Sequence, residues 1–255
     1  MIFLYVKNDM ISCIIACMDR TDRLEKMLPT WAKIESIKDI VVVDWSSKIP
    51  IIENENIKKI LQKFNKIKIV RVENEKFFHI CKSNNIAFRF TNQENKILLK
   101  LDVDYVNIDE SWMDYLTFTE NEDKSFILKQ YFLVGSYRFY QSSSGFLLVN
   151  KKDFKSVKGY NENYSSGWGG DDSNLYKRIY KNKKTLGNKF FEKILFFDIK
   201  RYIYHIPHDD ELRHCNYPPE QKKSKKNKEP WEFQKYKVLS QKNNYIRIEL
   251  KNKFL

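Results

Sequence analysis

Two aspartates one residue apart close an apolar run, Lys96-Ile97-Leu98-Leu99-Lys100-Leu101-Asp102-Val103-Asp104. Such a run reads as a buried strand carrying acids at its C-terminal end. Residues two apart on a strand share a face, so both carboxylates can address one site. Like charges that close need a cation or hydrogen bonds to compensate them. Hard oxygen ligands of this kind suit Mg²⁺ or Mn²⁺, usually shared with substrate phosphates. An Asp-x-Asp also ends many strands without any metal. A second feature bears on that choice: His205 and His208, two of the chain's four histidines, follow the strand-like runs Ile194 to Phe197 and Arg201 to Tyr204. Neutral imidazole is a ligand for Mn²⁺-like metals and could complete a carboxylate site. The plainer alternative is a pair of surface histidines beside a turn at Pro207 and Asp209.

A third cluster lies between these two. Tyr164-Ser165-Ser166-Gly167-Trp168-Gly169-Gly170-Asp171-Asp172 concentrates three of the chain's seven glycines beside an aromatic ring and two carboxylates. Glycine lets a backbone approach a ligand closely, and the Trp168 face can stack on a sugar ring or a base. The same residues could equally form a glycine turn with an aspartate N-cap for the helix-like run Ser173 to Tyr180.

The elements that must carry these groups are legible as alternating patterns. Strand-like runs at Ser12–Cys17, Asp39–Asp44, Ile67–Val72 and Ile97–Asp102 are separated by helical stretches, among them Arg23–Ile34 and Ile57–Phe64. That alternation predicts an α/β domain with a mostly parallel sheet and crossover helices. Ligands of such sheets bind beyond the carboxyl ends of the strands, where Cys17 to Arg20, Asp44 and Asp102 to Asp104 all fall. A length of 255 residues suffices for one such domain, and 42 % hydrophobic content argues against a mainly disordered chain. We expect one domain over 1–220. Residues 221–255 then form a basic tail, packed on the domain or membrane-associated.

The order of these pieces resembles the GT-A glycosyltransferases, and most closely the β-1,4-galactosyltransferase-like group with its bacterial polysaccharide-polymerase relatives of family 2. Ile14-Ile15-Ala16-Cys17-Met18-Asp19-Arg20 is similar to that group's first strand and nucleotide turn. Phe78-His79-Ile80-Cys81-Lys82-Ser83-Asn84-Asn85 is similar to its Phe-Asn-Arg helix, and Asp102-Val103-Asp104 to its metal-binding motif. Gly145 to Val149, Phe154 and Gly159-Tyr160 resemble the strand and helix before the acceptor loop. Trp168-Gly169-Gly170-Asp171-Asp172 resembles Trp-Gly-Gly-Glu-Asp, and His205 and His208 fall where the group places its late metal ligands. Met18 and Ile80 stand where the group has arginines, and Asp171 where it has glutamate.

The resemblance implies a single Rossmann-like GT-A domain and an inverting, metal-dependent transferase. It would move a hexose or N-acetylhexosamine from a UDP-sugar to a glycan or glycolipid hydroxyl. On this reading Asp172 is the catalytic base, while Asp171, Trp168, Gly169 and Gly170 hold the acceptor. Donor contacts fall to Ala16, Cys17, Asp19, Arg20, Asp44, Phe78, Lys82, Asp102 and Val103, with Asp44 similar to the nucleoside-contacting aspartate of family 2. Asp104, His208 and His205 would hold Mn²⁺ or Mg²⁺.

Charge and cysteines set the expected surroundings. A net charge of +13 is either a solvated lysine-rich surface or an attraction to anionic lipid. The second is concentrated in Lys222 to Lys228, with Trp231, Phe233 and Tyr236 nearby. The four cysteines show no framework spacing, which fits a reduced, cytoplasmic setting. Lys7 and Asp9 interrupt the first apolar run, as in a core strand and unlike a secretory leader. No apolar stretch reaches the ~18 residues of a membrane span, so the expected location is cytoplasmic, either free or peripheral at the inner membrane face. The competing function is a metal-dependent nucleic-acid-binding protein or nuclease using Asp102, Asp104 and His208. No nucleic-acid motif supports it, and nucleic acid is not an expected partner. A transferase-fold binder without turnover is a third possibility.

Overall fold

The computed structural model describes residues 11–111, 129–134, 137–142, 145–164, 169–185, 202–208, 216–217 and 233–251. In chain order these form β1 (Ile11–Cys17), α1 (Thr21–Ala32), β2 (Ile37–Trp45), α2 (Glu55–Lys63), β3 (Ile67–Glu73), α3 (Ile80–Arg89), β4 (Ile97–Leu101) and β5 (Tyr105–Asn107). They continue with β6 (Lys129–Val134), β7 (Tyr137–Ser142), β8 (Phe146–Asn150), α4 (Lys151–Ser156), α5 (Asp171–Thr185), β9 (Ile203–His205), β10 (Tyr236–Lys242) and β11 (Tyr245–Leu250). The central sheet has seven strands in the order β10-β11-β3-β2-β1-β4-β8. Strands β11, β3, β2, β1 and β4 run parallel, while β8 and β10 are antiparallel at the edges. The expected mostly parallel α/β sheet is the architecture observed.

Continuous apolar runs become central strands because both faces of the sheet are covered. Alternation along β1 shows it: Ile11, Cys13, Ile15 and Cys17 pack in one core layer with Leu24, Leu28 and Trp31 of α1. Ile14 packs in the other layer, with Cys81, Ile86 and Phe88 of α3 and Leu175 and Ile179 of α5. In β4, Leu99 and Leu101 join the first layer and Leu98 the second. Lys100 follows the parity of Leu98, so a fully buried ammonium (1 % exposed) sits in an apolar layer. Ammonium groups are almost never so placed unless paired.

The order β2-β1-β4 means that the chain reverses direction across the sheet at β1. The crevice between the carboxyl ends of β1 and β4 is therefore the topological switch point where open α/β sheets bind ligands. The opposite end of the sheet is sealed by a polar network. Lys151 Nζ donates to Ser12 Oγ (2.6 Å), Thr91 Oγ1 (3.0 Å) and the Asn92 carbonyl (2.6 Å), while Ser12 Oγ donates to Asp39. Desolvation lowers the Lys151 ammonium to about 8, Asp39 opposing it.

The tail divides. Residues 221–232 lie outside the described residues, but Tyr236–Leu250 forms a hairpin whose second strand pairs with β3, from Tyr245↔Ile69 to Glu249↔Glu73. The hairpin is also tied to the body by side chains. Glu162 accepts from Gln234 N (2.6 Å) and from Asn85 Nδ2 (2.8 Å), and Arg89 donates to the Gln234 carbonyl (2.7 Å) while covering the Phe233 and Tyr236 rings. The aromatic residues read as membrane-interface groups are, at Phe233 and Tyr236, partners of Arg89. Among the described residues no helix is long and apolar enough to cross a membrane.

Candidate active site

Asp104 is placed by two short strands. Immediately after it, β5 pairs antiparallel with β9, setting Tyr105 opposite His205. Helix α1 pins that ribbon, since Trp31 Nε1 donates to the Tyr105 carbonyl (2.7 Å) and Asn107 N to Thr30 Oγ1 (3.0 Å). Ile206 N donates to the Asp104 carbonyl (2.8 Å), closing the turn that carries His208. Residues a hundred apart in sequence thus converge. Asp104 Oδ2 lies 3.3 Å from His208 Nε2 and 3.6 Å from His205 Nε2. Ligand atoms of the three all fall within 4.8 Å of one another.

Two guanidinium groups flank the cluster. Arg20 Nη1 and Arg23 Nη1 stand 3.9 and 3.8 Å from Asp104 Oδ2, and Arg23 also donates to the carbonyls of Ile206 (3.2 Å) and Pro207 (3.3 Å). Burial opposes ionisation of Asp104 but is outweighed by His205, His208 and Arg20, so its carboxyl is held below the usual range. Its Oδ1 is buried without a hydrogen-bond partner. An anionic oxygen left bare is costly, and a cation held by one carboxylate and two imidazoles is the group that would satisfy it. These residues therefore fit the metal expected there, and the nitrogen content favours Mn²⁺ over strictly oxygen-seeking Mg²⁺.

The second cluster is built on β8 and α5. Gly170 caps α5, its carbonyl accepting from Asn174 N (2.9 Å). Asp171 and Asp172 are therefore first-turn residues and not the cap, a position where the helix dipole favours their charge. Gly169 (φ 91°) and Gly170 (φ 85°) both occupy the left-handed region, which explains glycine at each. Asp172 turns inward: Oδ2 accepts from Gly145 N (3.1 Å) and Oδ1 from the Tyr160 hydroxyl (2.8 Å), with Lys100 Nζ 3.5 Å away. The same Lys100 Nζ is 2.9 Å from Asp102 Oδ1, and Asp102 N donates to the Gly145 carbonyl (2.9 Å). Trp168 lies outside the described residues.

Gly145 has no room for a side chain. A Cβ there would stand 2.3 Å from Asp102 Oδ2 and 2.9 Å from the Tyr105 ring, at φ 101°. Gly145→Ala is expected to cost about 1–3 kcal/mol from the backbone conformation alone and to displace Asp102. A fall in melting temperature together with weaker donor binding checks this; an unchanged Asp102 environment and affinity would contradict it.

Asp171 carries a protonation signature. Desolvation first, and then the charge of Asp172, push its carboxyl up to about 7, with Lys100 opposing. The unfolded chain releases this proton near ~4, so between ~4 and about 7 the folded state binds the extra proton and rising pH destabilises it. Asp171→Asn removes that penalty. The variant should gain more melting temperature over wild type at pH 8 than at pH 5, and an equal gain at both would refute the assignment.

The remaining expected donor residues divide by burial. Ala16, Cys17 and Val103 are packed in or against the core, so contact with a ligand would come from their main chain. Burial pushes the Cys17 thiol up to about 12. Asp19, at φ 54°, receives Lys48 N (2.7 Å), and its own N donates to Ser47 Oγ (3.0 Å), tying the first turn to the loop after β2. Phe78 packs on Tyr217 (6.1 Å between centroids), and Asn216 links it to the Met18 carbonyl (2.8 Å). Lys82 lies in the first turn of α3, its N donating to the capping His79 Nδ1 (3.4 Å). His79 is a buried cap, lowered to about 3 chiefly by desolvation.

Asp44 lies one residue before the end of β2. It has no exposed surface, and its oxygens accept from Ser47 N (3.1 Å), Ile51 N (3.1 Å) and Arg71 Nη1 (2.7 Å). There it holds the loop after β2. Three site residues escaped the sequence reading: Lys100, Arg23 and Arg71. Only Lys100 left a signal, as a charge inside an otherwise apolar strand.

Comparison with known proteins agrees with the geometry. A family profile described as the N-terminal domain of galactosyltransferase matches residues 128–209. No curated protein matches the chain in sequence. Among solved structures, the catalytic domain of Drosophila β1,4-galactosyltransferase 7 in complex with xylobiose superposes with TM-score 0.57 at 16 % identity, covering 95 % of this chain and 94 % of that one. A mutant of the same enzyme, in complex with manganese, UDP-Gal and xylobiose, gives 0.57 at 15 % identity over 95 % and 94 %. S. aureus TarS residues 1–349 in complex with UDP give 0.56 at 17 % identity, over 80 % of this chain and 62 % of that one. This chain has the GT-A glycosyltransferase fold, and its resemblance is to the β-1,4-galactosyltransferase-like group.

Proposed function

We propose that the protein is a metal-dependent inverting glycosyltransferase that moves a hexose or N-acetylhexosamine from a UDP-sugar to a glycan or lipid-linked glycan hydroxyl. The observation that carries this reading is the convergence of Asp104, His205 and His208 at the β1/β4 crevice, two residues along the chain from Asp102, which shares Lys100 with Asp172. A bound Mn²⁺ would supply positive charge to the leaving diphosphate. Arg20 and Arg23 add fixed guanidinium charge at the same edge and suit a diphosphate by fork geometry. Asp102, partly open to solvent, faces the donor. Asp172 accepts the proton of the acceptor hydroxyl, and Asp171 and Trp168 hold the acceptor. The glycines at 169 and 170 give the loop its freedom to approach that ligand closely. The +13 charge suits an anionic acceptor or the anionic inner face of a membrane, with the enzyme in the cytoplasm. A nuclease reading gains nothing comparable, because α5 and its glycine turn have no part in it.

Thermal unfolding tests the proposal without knowledge of the acceptor. UDP and Mn²⁺ together should raise the melting temperature by about 5–10 °C near 100-fold excess over Kd. UDP with a chelator, or Mn²⁺ alone, should give much less. Equal stabilisation by UDP with and without chelator would remove the metal from the site, and stabilisation by oligonucleotides in place of UDP would favour the nuclease.

A further inference from the structure

Lys100 connects the two halves of the site. Its Nζ reaches Asp102 Oδ1 at 2.9 Å on the donor side and Asp172 Oδ1 at 3.5 Å on the acceptor side. The side chain is 1 % exposed and shares the parity of Leu98, on the face of β4 covered by α3 and α5, so the ammonium cannot follow solvent. Gly145 makes a parallel connection through the backbone, receiving Asp102 N on its carbonyl and giving its own N–H to Asp172. Two carboxylates that would repel thus share one buried cation, while the main chain of one glycine ties the Asp172 carboxylate to the backbone of Asp102.

We propose that Lys100 is a positioning residue, fixing the Asp172 carboxylate relative to Asp102 and so setting the distance between the acceptor-side base and the donor. The inference rests on the transferase reading given above. The geometry carries the roles of the surrounding groups. Tyr160 and Gly145 each occupy one Asp172 oxygen, fixing the plane of the carboxylate. Lys100 supplies the contact that reaches across to Asp102. A displacement of ~1 Å at a reacting group can cost about 10²-fold in rate. Loss of Lys100 should therefore fall mainly on turnover, with a smaller loss of donor affinity through Asp102, since Asp104, the histidines and the arginines are untouched.

A double-mutant cycle separates positioning from mere structural support. Wild type, Lys100→Met, Asp172→Asn and the double variant are assayed for UDP release from UDP-galactose and UDP-N-acetylglucosamine with Mn²⁺, and for melting temperature. Lys100→Met is expected to lower kcat by about 10-fold or more, with donor KM within about 3-fold. In the Asp172→Asn background the same change should cost less than about 3-fold, because the group it positions is already gone. Equal losses in both backgrounds, or a loss confined to donor KM, would overturn the proposal. Should Lys100→Met fold poorly, the cycle is read in melting temperature: the double variant should melt well above the sum of the single effects, and strict additivity would overturn the pairing. A wild-type protein that neither releases nor binds UDP defeats the transferase reading on its own, whatever the melting cycle shows.

Discussion

Asp172→Asn is expected to lower sugar transfer by about 10²-fold or more while leaving UDP and Mn²⁺ binding in place. The magnitude is that of losing a positioned general base, and the selectivity follows from the surroundings of the residue. Asparagine can keep one oxygen toward the Tyr160 hydroxyl and Lys100, in the place of Oδ1. Its amide NH₂ then faces Gly145 N–H, where the carboxylate had accepted. The fold therefore loses one hydrogen bond and leaves buried donors facing each other, about 1–3 kcal/mol, while the site loses its proton acceptor. Comparing UDP release with the UDP-and-Mn²⁺ melting shift in the same variant decides the matter. Near-normal turnover would take Asp172 out of the base role, and loss of both readouts would make it structural.

Asp104→Ala should abolish the joint stabilisation by UDP and Mn²⁺. Saturation near 100 Kd is worth about 2.7 kcal/mol to the folded state, and this carboxylate is the one anion among Asp104, His205 and His208. It is also the counter-ion of Arg20 and Arg23. Its removal leaves the charges of two guanidinium groups uncompensated beside the imidazoles, which repels a cation further. The variant should therefore bind Mn²⁺ far more weakly while retaining β5 and β9, whose pairing uses main chain. A melting shift equal to that of wild type would place the metal elsewhere.

Much of the frame could be read from the sequence because parallel strands buried on both faces are written as unbroken apolar runs. That is why β1 to β4 and the first two helices fall where the pattern puts them. The acids at 102 and 104 and the histidines at 205 and 208 stood out for a related reason: polar groups ending such runs lie at the ligand-binding edge. What stayed hidden depends on partners distant in sequence. Asp44 has the same sequence signature as an open ligand, and only the fold shows Arg71 of the neighbouring strand paired with it. Lys100 looked like an interruption of a strand until α5 brought Asp172 beside it. The sequence Tyr245-Ile246-Arg247-Ile248-Glu249-Leu250 alternates as a strand should, but the composition of the tail as a whole left packing on the domain and association with a membrane both open.

That last hairpin also dictates when the protein can finish folding. Glu73 on β3 meets Arg247 on β11 across 174 residues of chain (2.6 Å). Until β11 arrives, β3 presents an unpaired apolar edge, the kind of template that recruits strands from other chains. At ribosomal speeds of ~5–20 residues per second the wait is roughly 10–30 s, long compared with the closure of any local turn. The nascent chain thus carries an open β3 edge while the residues between β3 and β11 are made, and strand recruitment by other chains competes during that interval.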